Sequence, residues 1–233
     1  MKIAKIMLVL PLIAISLRGA DTLYYDISLL GIKVAGVEII DSLRKDASRE
    51  IMYRAFTVGA FDKIYDTDNR YYFYSDSALT RLDSLKKVIH EHDLDQIYSE
   101  HVRNGMIHYP DASPMPNILP VQHVLSFLIY LQYYPEKRIS DAPFNFLLSD
   151  EGELYHPEIR VVYNAARDQD EVYFTLYKVA GVEVLEPTDV FNWMICAGKG
   201  ERMMAYSRKD NKISEGFFSL GWGLNLRAKR VHK

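Results

Sequence analysis

Four histidines between residues 90 and 108 form the densest group of metal-binding side-chain types in the chain. They are His90, His92, His101 and His108, with Asp93 beside the second of them. On a strand, His90 and His92 share one face, and a neighbouring strand would bring His101 near them. Zinc sites need three or four converging ligands, and this spacing matches no standard zinc template. We therefore interpret these histidines as solvent-facing strand residues, and we expect no metal and no cofactor.

A glycine-rich string near the carboxyl terminus is the second candidate for chemistry. Residues 197–203 read Ala-Gly-Lys-Gly-Glu-Arg-Met, which is similar to the sugar nucleotidyltransferase signature that cradles a nucleoside triphosphate. That chemistry needs the loop after the first strand of a long α/β domain, whereas only the strand-like residues 204–233 follow here. We prefer a glycine-containing turn between strands.

The sequence motifs do not support a hydrolytic activity. The chain has no Gly-x-Ser-x-Gly elbow, and Ser219 lacks the preceding glycine. Asp66, Asp68 and Asn69 lack the glycine and the distal glutamate of a calcium loop and indicate a turn. No pair of carboxylates stands out from the many others. We expect a protein that is not an enzyme, and a hydrolase without a recognisable motif remains the third hypothesis.

Residues 1–20 have the composition of a secretory signal peptide. Lys2 and Lys5 precede the apolar run Ile6–Leu17, which is shorter than the roughly 20 residues of a spanning helix. Cleavage after Ala20 or after Ser16 would fit, and an uncleaved anchor is the alternative. The single cysteine, Cys196, lies far from this segment, so the chain is not a lipoprotein. We predict an exported, periplasmic protein with no transmembrane span in the mature chain.

The charge balance argues against nucleic acid as a partner. The formal net charge is −3, and the predicted cleavage removes three basic residues and no acid. A protein that binds the phosphate backbone normally carries a basic excess or a basic face. The one concentrated basic stretch begins at Arg227, and it alternates with apolar residues as the exposed side of a last strand would.

The segment 117–134, NILPVQHVLSFLIYLQYY, is predicted to be the central helix. One apolar stripe comprises Val121, Val124, Leu125, Leu128 and Leu131, and a second, aromatic stripe comprises Phe127, Tyr130 and Tyr134. Together the stripes cover more than the roughly 100° apolar arc that a surface helix needs. We therefore expect this helix to be covered on two sides.

Alternating apolar and polar residues predict strands on both sides of that helix. The expected fold is mainly β: a strongly curved antiparallel sheet, as an open barrel or two linked half-barrels, with the central helix packed on its concave side. We expect one β-rich domain over 21–233, with an amino-terminal β half at 21–113 and a carboxyl-terminal β half at 143–233. The second half includes an expected strand near Val190–Cys196.

One hexapeptide occurs twice. Lys-Val-Ala-Gly-Val-Glu stands at residues 33–38 and again at 178–183, each time after an alternating strand. A glycine inside a strand indicates a bulge or a close backbone approach. We predict that the sheet bends at both places, while internal duplication and chance both remain open as explanations.

The mature chain resembles the exported bacterial proteins grouped as domain of unknown function 3108. The resemblance lies in the opening Tyr25 to Gly36, in the helix sequence Val124 to Tyr130, and in the closing segments Ala205 to Ile213 and Leu220 to Gly223. It implies a periplasmic, β-rich, non-enzymatic protein, and it brings no catalytic residues.

Aromatic side chains are the remaining candidates for a binding site. The chain has 17 Tyr, 10 Phe and 2 Trp, and rings with a polar tip suit the wall of a cavity that is apolar yet partly wet. The residues predicted to bind a ligand are Tyr72, Tyr74, Phe127, Tyr130, Tyr134, Trp193 and Trp222. The alternative is that these rings fill the inside of a curved sheet.

The leading hypothesis is therefore a non-enzymatic envelope protein that binds a lipid or another apolar ligand between helix and sheet. The alternative is an envelope scaffold or assembly protein that presents strand edges or aromatic patches to another protein.

Overall fold

The computed structural model describes residues 20–140, 142–184, 189, 191, 195, 200–221 and 224–232, so the predicted signal peptide lies outside it apart from Ala20. The chain is mainly β, as predicted, with one main helix. The strands are β1 (Asp21–Leu29), β2 (Ile32–Leu43), β3 (Arg49–Thr57), β4 (Asp68–Ser75), β5 (Leu82–Glu91), β6 (Leu94–Arg103), β7 (Met106–His108), β8 (Met115–Pro116), β9 (Val121–His123), β10 (Leu147–Asp150), β11 (Glu153–Asn164), β12 (Gln169–Gly181), β13 (Arg202–Ser207), β14 (Ile213–Gly221) and β15 (Leu224–Val231). The helices are α1 (Val124–Tyr133) and α2 (Pro135–Arg138), and a 3-10 turn spans Phe61–Lys63.

The described strands form one 15-stranded sheet. Its order is β8-β7-β6-β5-β4-β3-β2-β1-β15-β14-β13-β12-β11-β10-β9. The first and the last long strands, β1 and β15, pair antiparallel and join the two β halves. Only the β9–β10 pair among the described strands is parallel. The edge strand β9 lies against the β4–β5 side, where the Gln122 side chain donates a hydrogen bond to the carbonyl oxygen of Leu79. The sheet is therefore curled almost onto itself.

The two copies of the repeated hexapeptide lie at equivalent irregularities of the sheet. In the β1–β2 pair the register shifts by one residue at Val34, and in the β11–β12 pair it shifts at Val179. Each valine is the second residue of its hexapeptide. An extra residue in one strand bends the pair and increases its twist. The irregularities therefore lie two residues before the glycines at which the sequence predicted bends.

Gly36 lies where a side chain of the neighbouring strand comes close to the backbone, and not at the register shift. It is paired with Phe56 across the β2–β3 ladder, and a Cβ atom at this glycine would meet the Phe56 ring at 2.7 Å. A phenyl ring over a strand glycine covers backbone that would otherwise be exposed.

Helix α1 begins later than the sequence predicted. Residues 121–123 form β9, and the helix starts after His123, whose ring accepts a hydrogen bond from the Leu125 backbone nitrogen. The Ser126 hydroxyl accepts from the His123 backbone nitrogen in return. This reciprocal cap starts the helix after His123. The residues before it pair in parallel with β10 and are therefore held as a strand. The prediction of helix over 117–123 was therefore wrong, and 124–133 is helical.

The helix is covered on two sides, as its two stripes predicted. Every residue from Val124 to Gln132 is buried. Sheet tyrosines bond directly to the helix backbone: the Tyr53 hydroxyl donates to the Leu125 carbonyl oxygen at 2.9 Å, and the Tyr206 hydroxyl donates to the Leu128 carbonyl oxygen at 3.0 Å. These bonds fix the helix on the concave side of the sheet.

A charged contact holds the end of the same helix. The Tyr133 hydroxyl donates to Asp41 at 2.6 Å, and both oxygens of Asp41 accept from the Arg49 guanidinium at 3.0 and 2.9 Å. The guanidinium carbon also lies 4.2 Å from the centre of the Tyr133 ring. Burial raises the pKa of Asp41, while Tyr133 and Arg49 act in the opposite direction.

The expected strand near Val190–Cys196 is wrong at the two positions that the structure describes. Phe191 and Ile195 are helical, and the other residues of that range lie outside the description. Pro187, Thr188 and Asp189 precede them, and such residues are common at helix starts. Of the described helices, none has the length and apolar character needed to cross a membrane.

The tyrosine bonds to the helix predict a measurable contribution to stability. Tyr206→Phe removes one buried hydrogen bond and leaves the Leu128 carbonyl with one partner fewer, so the free energy of unfolding should fall by about 1 kcal/mol. Tyr177 is half exposed, and Tyr177→Phe is the matched control with little expected change. Urea unfolding of both variants checks this. Equal stabilities of the two variants would contradict it.

Candidate functional site

An apolar cavity of about 250 Å³ lies between α1 and the sheet. Leu125 and Leu128 form its helix side, and inward-facing residues of β1–β3 and β13–β15 form its sheet side. Phe191 and Ile195 form a further wall. An engineered apolar cavity of about 150 Å³ stays dry and takes up benzene, so this cavity has room for a small apolar ligand.

Among the described residues, the deep end of the cavity offers no free hydroxyl to a ligand. The Tyr25 hydroxyl donates to the carbonyl oxygen of Ile213 at 3.0 Å, and the Tyr53 hydroxyl is bonded to Leu125. Burial raises the pKa of both tyrosines, so both keep their protons. This end therefore suits a hydrocarbon chain.

The other end of the cavity is closer to solvent. Leu29, Thr57 and Phe61 line it there and are partly exposed, and Tyr65 is 39% exposed. The chain beside these residues carries exposed apolar side chains, with exposed fractions of 70% for Leu30, 63% for Ile32 and 70% for Ile64. We refer to this end, defined by Leu29, Thr57, Phe61 and Tyr65, as the mouth.

Tyr72 and Tyr74, which the sequence predicted as ligand-binding, do not line the cavity. On β4 the residues Tyr71 and Phe73 are fully buried, whereas Tyr72 and Tyr74 are only partly buried. Tyr74 stacks with Arg44, whose guanidinium carbon lies 5.5 Å from the ring centre. Because side chains on a strand alternate between the two faces of the sheet, Tyr71 and Phe73 point inward and Tyr72 and Tyr74 do not.

The aromatic stripe of the helix also lies away from the cavity. Phe127 contacts Phe144 and Phe146 with ring centres 5.2 and 6.0 Å apart, and Tyr130 lies 5.3 Å from Phe146 and 4.7 Å from Tyr134. These rings fill the space between α1 and the segment before β10. Phe127, Tyr130 and Tyr134 pack against one another and are not among the residues that line the cavity.

Trp193 and Trp222, the last two predicted site residues, lie outside the described residues. The structure thus assigns the cavity to the aliphatic stripe of the helix, which the sequence analysis identified but did not connect with binding. Leu125 and Leu128 belong to that stripe.

A buried charged cluster lies on the other side of the interior. Lys87 of β5 is 1% exposed, and its Nζ atom lies 2.6 Å from Glu151, 3.6 Å from Asp150 and 3.7 Å from Asp189. Burial disfavours the charge on Lys87, but the three carboxylates outweigh burial and raise its pKa. The ammonium group is the centre of this cluster.

The charged cluster also fixes one wall of the cavity. The Tyr71 hydroxyl donates to Asp189 at 2.5 Å, and the Tyr71 ring lies 5.7 Å from the ring of Phe191, which lines the cavity. Asp189 thus ties the beginning of the Phe191 wall to β4 and β5.

Further polar groups extend this network across the sheet. Tyr98 and Ser149 donate to the two oxygens of Glu100 at 2.7 and 2.9 Å. The open space beside Lys87 and Glu151 is about 10 Å³, which is the size of one water molecule. As bounded by the described residues, this space is too small for an organic substrate beside Lys87.

The histidines between residues 90 and 108 lie on β5–β7 and in the turn that joins β5 to β6. His90 lies 2.5 Å from Asp95 at the surface, and His101 is paired with His108 on neighbouring strands. Within the described part of the chain, no group of His, Cys, Asp and Glu has the arrangement of a metal site.

The charged cluster predicts a large effect of removing its cation. Lys87→Met leaves three buried carboxyl groups without their counter-charge, which should lower the free energy of unfolding by about 3–5 kcal/mol. Lys86 is the exposed neighbour on the same strand, and Lys86→Met should change it by less than about 0.5 kcal/mol. Chemical denaturation at neutral pH measures both. A Lys87→Met protein as stable as Lys86→Met would overturn the assignment.

The same cluster predicts an unusual pH dependence. Burial raises the pKa of Glu151 from 4.5 to about 7, although Lys87 opposes the shift. Between about pH 4.5 and pH 7, Glu151 keeps its proton in the folded chain but has lost it in the unfolded chain. Glu151 therefore lowers the free energy of unfolding as the pH rises through this range, by up to about 3 kcal/mol. Glu151→Gln should flatten this slope, whereas Glu158→Gln, at an exposed position of β11, should retain it. Stability curves measured against pH decide between these outcomes.

No family model matches this chain, and no curated protein matches it. Among solved structures, it is similar to a beta-barrel-like protein of domain of unknown function DUF1849 from Brucella abortus, with a TM-score of 0.48 and 9% sequence identity. The match covers 91% of this chain and 95% of that chain.

Proposed function

We propose that this chain is a non-enzymatic, exported envelope protein that holds a lipid or another apolar ligand in the cavity between α1 and the curved sheet. The observation that carries the proposal is the cavity of about 250 Å³ whose deep end is lined by apolar side chains and by hydroxyls already bonded within the protein. Interiors normally pack without voids of this size, because each void forfeits dispersion contacts and costs stability. A ligand would supply those contacts.

The size of the cavity restricts the ligand. Ligand pockets for drug-sized molecules span about 300–1,000 Å³, and this cavity, at about 250 Å³, lies just below that range. A single alkyl or isoprenoid chain fits such a volume, whereas a complete two-chain phospholipid does not. The apolar residues next to the mouth, Leu30, Ile32 and Ile64, would shield a chain on its way in.

A role without catalysis is supported by the state of the buried polar groups. Lys87 and its carboxylate neighbours bond to one another, and the space beside them is about the size of one water molecule. A catalytic site must instead leave a nucleophile or a base within reach of a substrate.

Export is supported by residues 1–20, whose basic start and apolar run are typical of a signal peptide. The resemblance to domain of unknown function 3108 points to the same compartment. Under this proposal the ligand comes from the envelope.

Filling the cavity tests the proposal. Ala55 on β3 is 4% exposed and lines the cavity, so Ala55→Leu should fill part of it and weaken binding of a fluorescent acyl-chain probe by about tenfold or more. Its free energy of unfolding should stay equal or rise, because the new methyl groups enter a void. Probe titration of delipidated protein and urea unfolding measure the two effects.

The control for this experiment is Ala166→Leu, which adds the same atoms at an exposed turn position. It should bind the probe as the unmodified chain does. If the unmodified, delipidated protein binds no probe, the ligand-binding function is wrong. The envelope scaffold or assembly protein, in which the cavity holds no ligand, would then be the better account.

A further inference from the structure

The described wall of the cavity presents only apolar surface to a ligand. The hydroxyls of Thr57 and Tyr65 donate to carboxylates outside the wall, those of Tyr25 and Tyr53 donate to backbone carbonyls, and the Thr67 hydroxyl is buried away from the cavity surface. A polar head group inside would lose its hydration without gaining a hydrogen bond, which is strongly unfavourable. The head group of a ligand therefore stays outside, and only its hydrocarbon chain enters.

The cavity runs along the strands of its sheet side. Successive inward-facing residues of β1 and β3 line it from the deep end to the mouth: Tyr25, Ile27 and Leu29, and Tyr53, Ala55 and Thr57. Between Tyr53 and Thr57 the strand β3 advances about 13 Å, because a strand rises about 3.3 Å per residue. The cavity is therefore about 13 Å long by this estimate.

Volume and length give the same capacity for carbon atoms. An apolar cavity of about 150 Å³ takes up benzene, which has six carbons, so about 250 Å³ accommodates about ten. An extended hydrocarbon chain advances about 1.25 Å per carbon, from bonds of about 1.5 Å at an angle of about 111°. A length of about 13 Å thus also holds about ten carbons. Since the same chain fills both the length and the volume, the cavity is one unbranched chain wide.

This width distinguishes two kinds of chain that volume alone admits. An isoprenoid carries methyl branches at regular intervals, whereas a fatty acyl or alkyl chain carries none. Leu125 and Leu128 of α1 lie on one side of the cavity and Val37 and Ile39 of β2 on another, and all four are buried. Extra methyl groups forced into a packed interior displace its side chains at a cost. A branched chain is therefore disfavoured.

From these dimensions we propose that the cavity selects a single unbranched alkyl or acyl chain, admits about ten of its carbons tail first, and leaves the head group in water at the mouth. The inference rests on the proposed ligand-binding function and names the class of its ligand. Free fatty acids and the acyl chains of single-chain phospholipids share this chemistry.

The experiment is competition against an apolar fluorescent probe on the unmodified, delipidated chain, with straight-chain alcohols from hexanol to tetradecanol below their solubility limits. Displacement should strengthen by about fourfold for each added methylene group up to decanol. It should level off beyond decanol, because further carbons remain outside. The isoprenoid alcohol 3,7-dimethyloctanol, which has as many carbons as decanol, should compete at least about tenfold more weakly.

Head groups of different size test whether the polar end stays outside. Decanol, decanoate and decylphosphocholine should displace the probe at concentrations within about threefold of one another, because each head group remains in water. A preference of about tenfold or more would show that the protein binds the head group and would overturn the proposal. A preference for decanoate would then indicate a free fatty acid, and one for decylphosphocholine a single-chain phospholipid.

Two substitutions at different depths test the direction of entry. Ala55 lies halfway along the cavity on β3, so Ala55→Leu should make displacement level off near hexanol. Ala35 lines the cavity and is paired with Thr57 at the mouth, so Ala35→Leu should weaken all alcohols alike. Ala166→Leu, at an exposed turn position, is the control and should level off at decanol.

The proposal is overturned if displacement keeps strengthening up to tetradecanol, or if 3,7-dimethyloctanol competes as well as decanol. An Ala55→Leu protein that is folded and still levels off at decanol would also overturn it. If Ala55→Leu does not fold, the series on the unmodified chain remains decisive. If the unmodified chain binds neither the probe nor any competitor, it is the ligand-binding function itself that fails.

Discussion

Burial of one helix inside a curled sheet is the constraint on which this structure depends. A helix that is apolar on two sides must be covered on both, and the sheet curls far enough to do so. Tyrosines of the sheet bond to the helix backbone at Leu125 and Leu128, while Tyr133 bonds to Asp41 on β2. The register shifts at Val34 and Val179 supply part of the curvature. The position of the helix and the shape of the sheet therefore depend on each other.

The helix divides the interior into two regions of opposite character. Leu125 and Leu128 border the apolar cavity, and Phe127 packs against Phe144 and Phe146. On the β5 side of the sheet, Lys87 lies next to the carboxylates of Asp150, Glu151 and Asp189. Replacing such buried charges by apolar residues is often neutral or stabilising, so stability alone does not account for their presence. Their link through Asp189 to the wall at Phe191 gives them a positional role at the cavity.

The sequence predicted the sheet and the two-sided helix because alternation and helical periodicity are local patterns. On β3, for example, the buried Ile51, Tyr53 and Ala55 alternate with less buried residues. The cavity depends on which stripe of the helix faces which strands, a long-range outcome that spacing does not encode. The buried cluster did leave a local signal: Lys87 and Glu91 share the apolar phase of β5 with Leu85 and Ile89.

The most direct test of the account is native mass spectrometry of the mature protein after gentle purification from its own envelope, followed by organic extraction and lipid analysis. The account predicts a mass above that of the bare chain by one small ligand, and an extract that contains a single-chain lipid in about equal molar amount. A bare-chain mass with an empty extract, from protein that remains folded, would contradict it. The void beside α1 would then be a packing defect without a ligand.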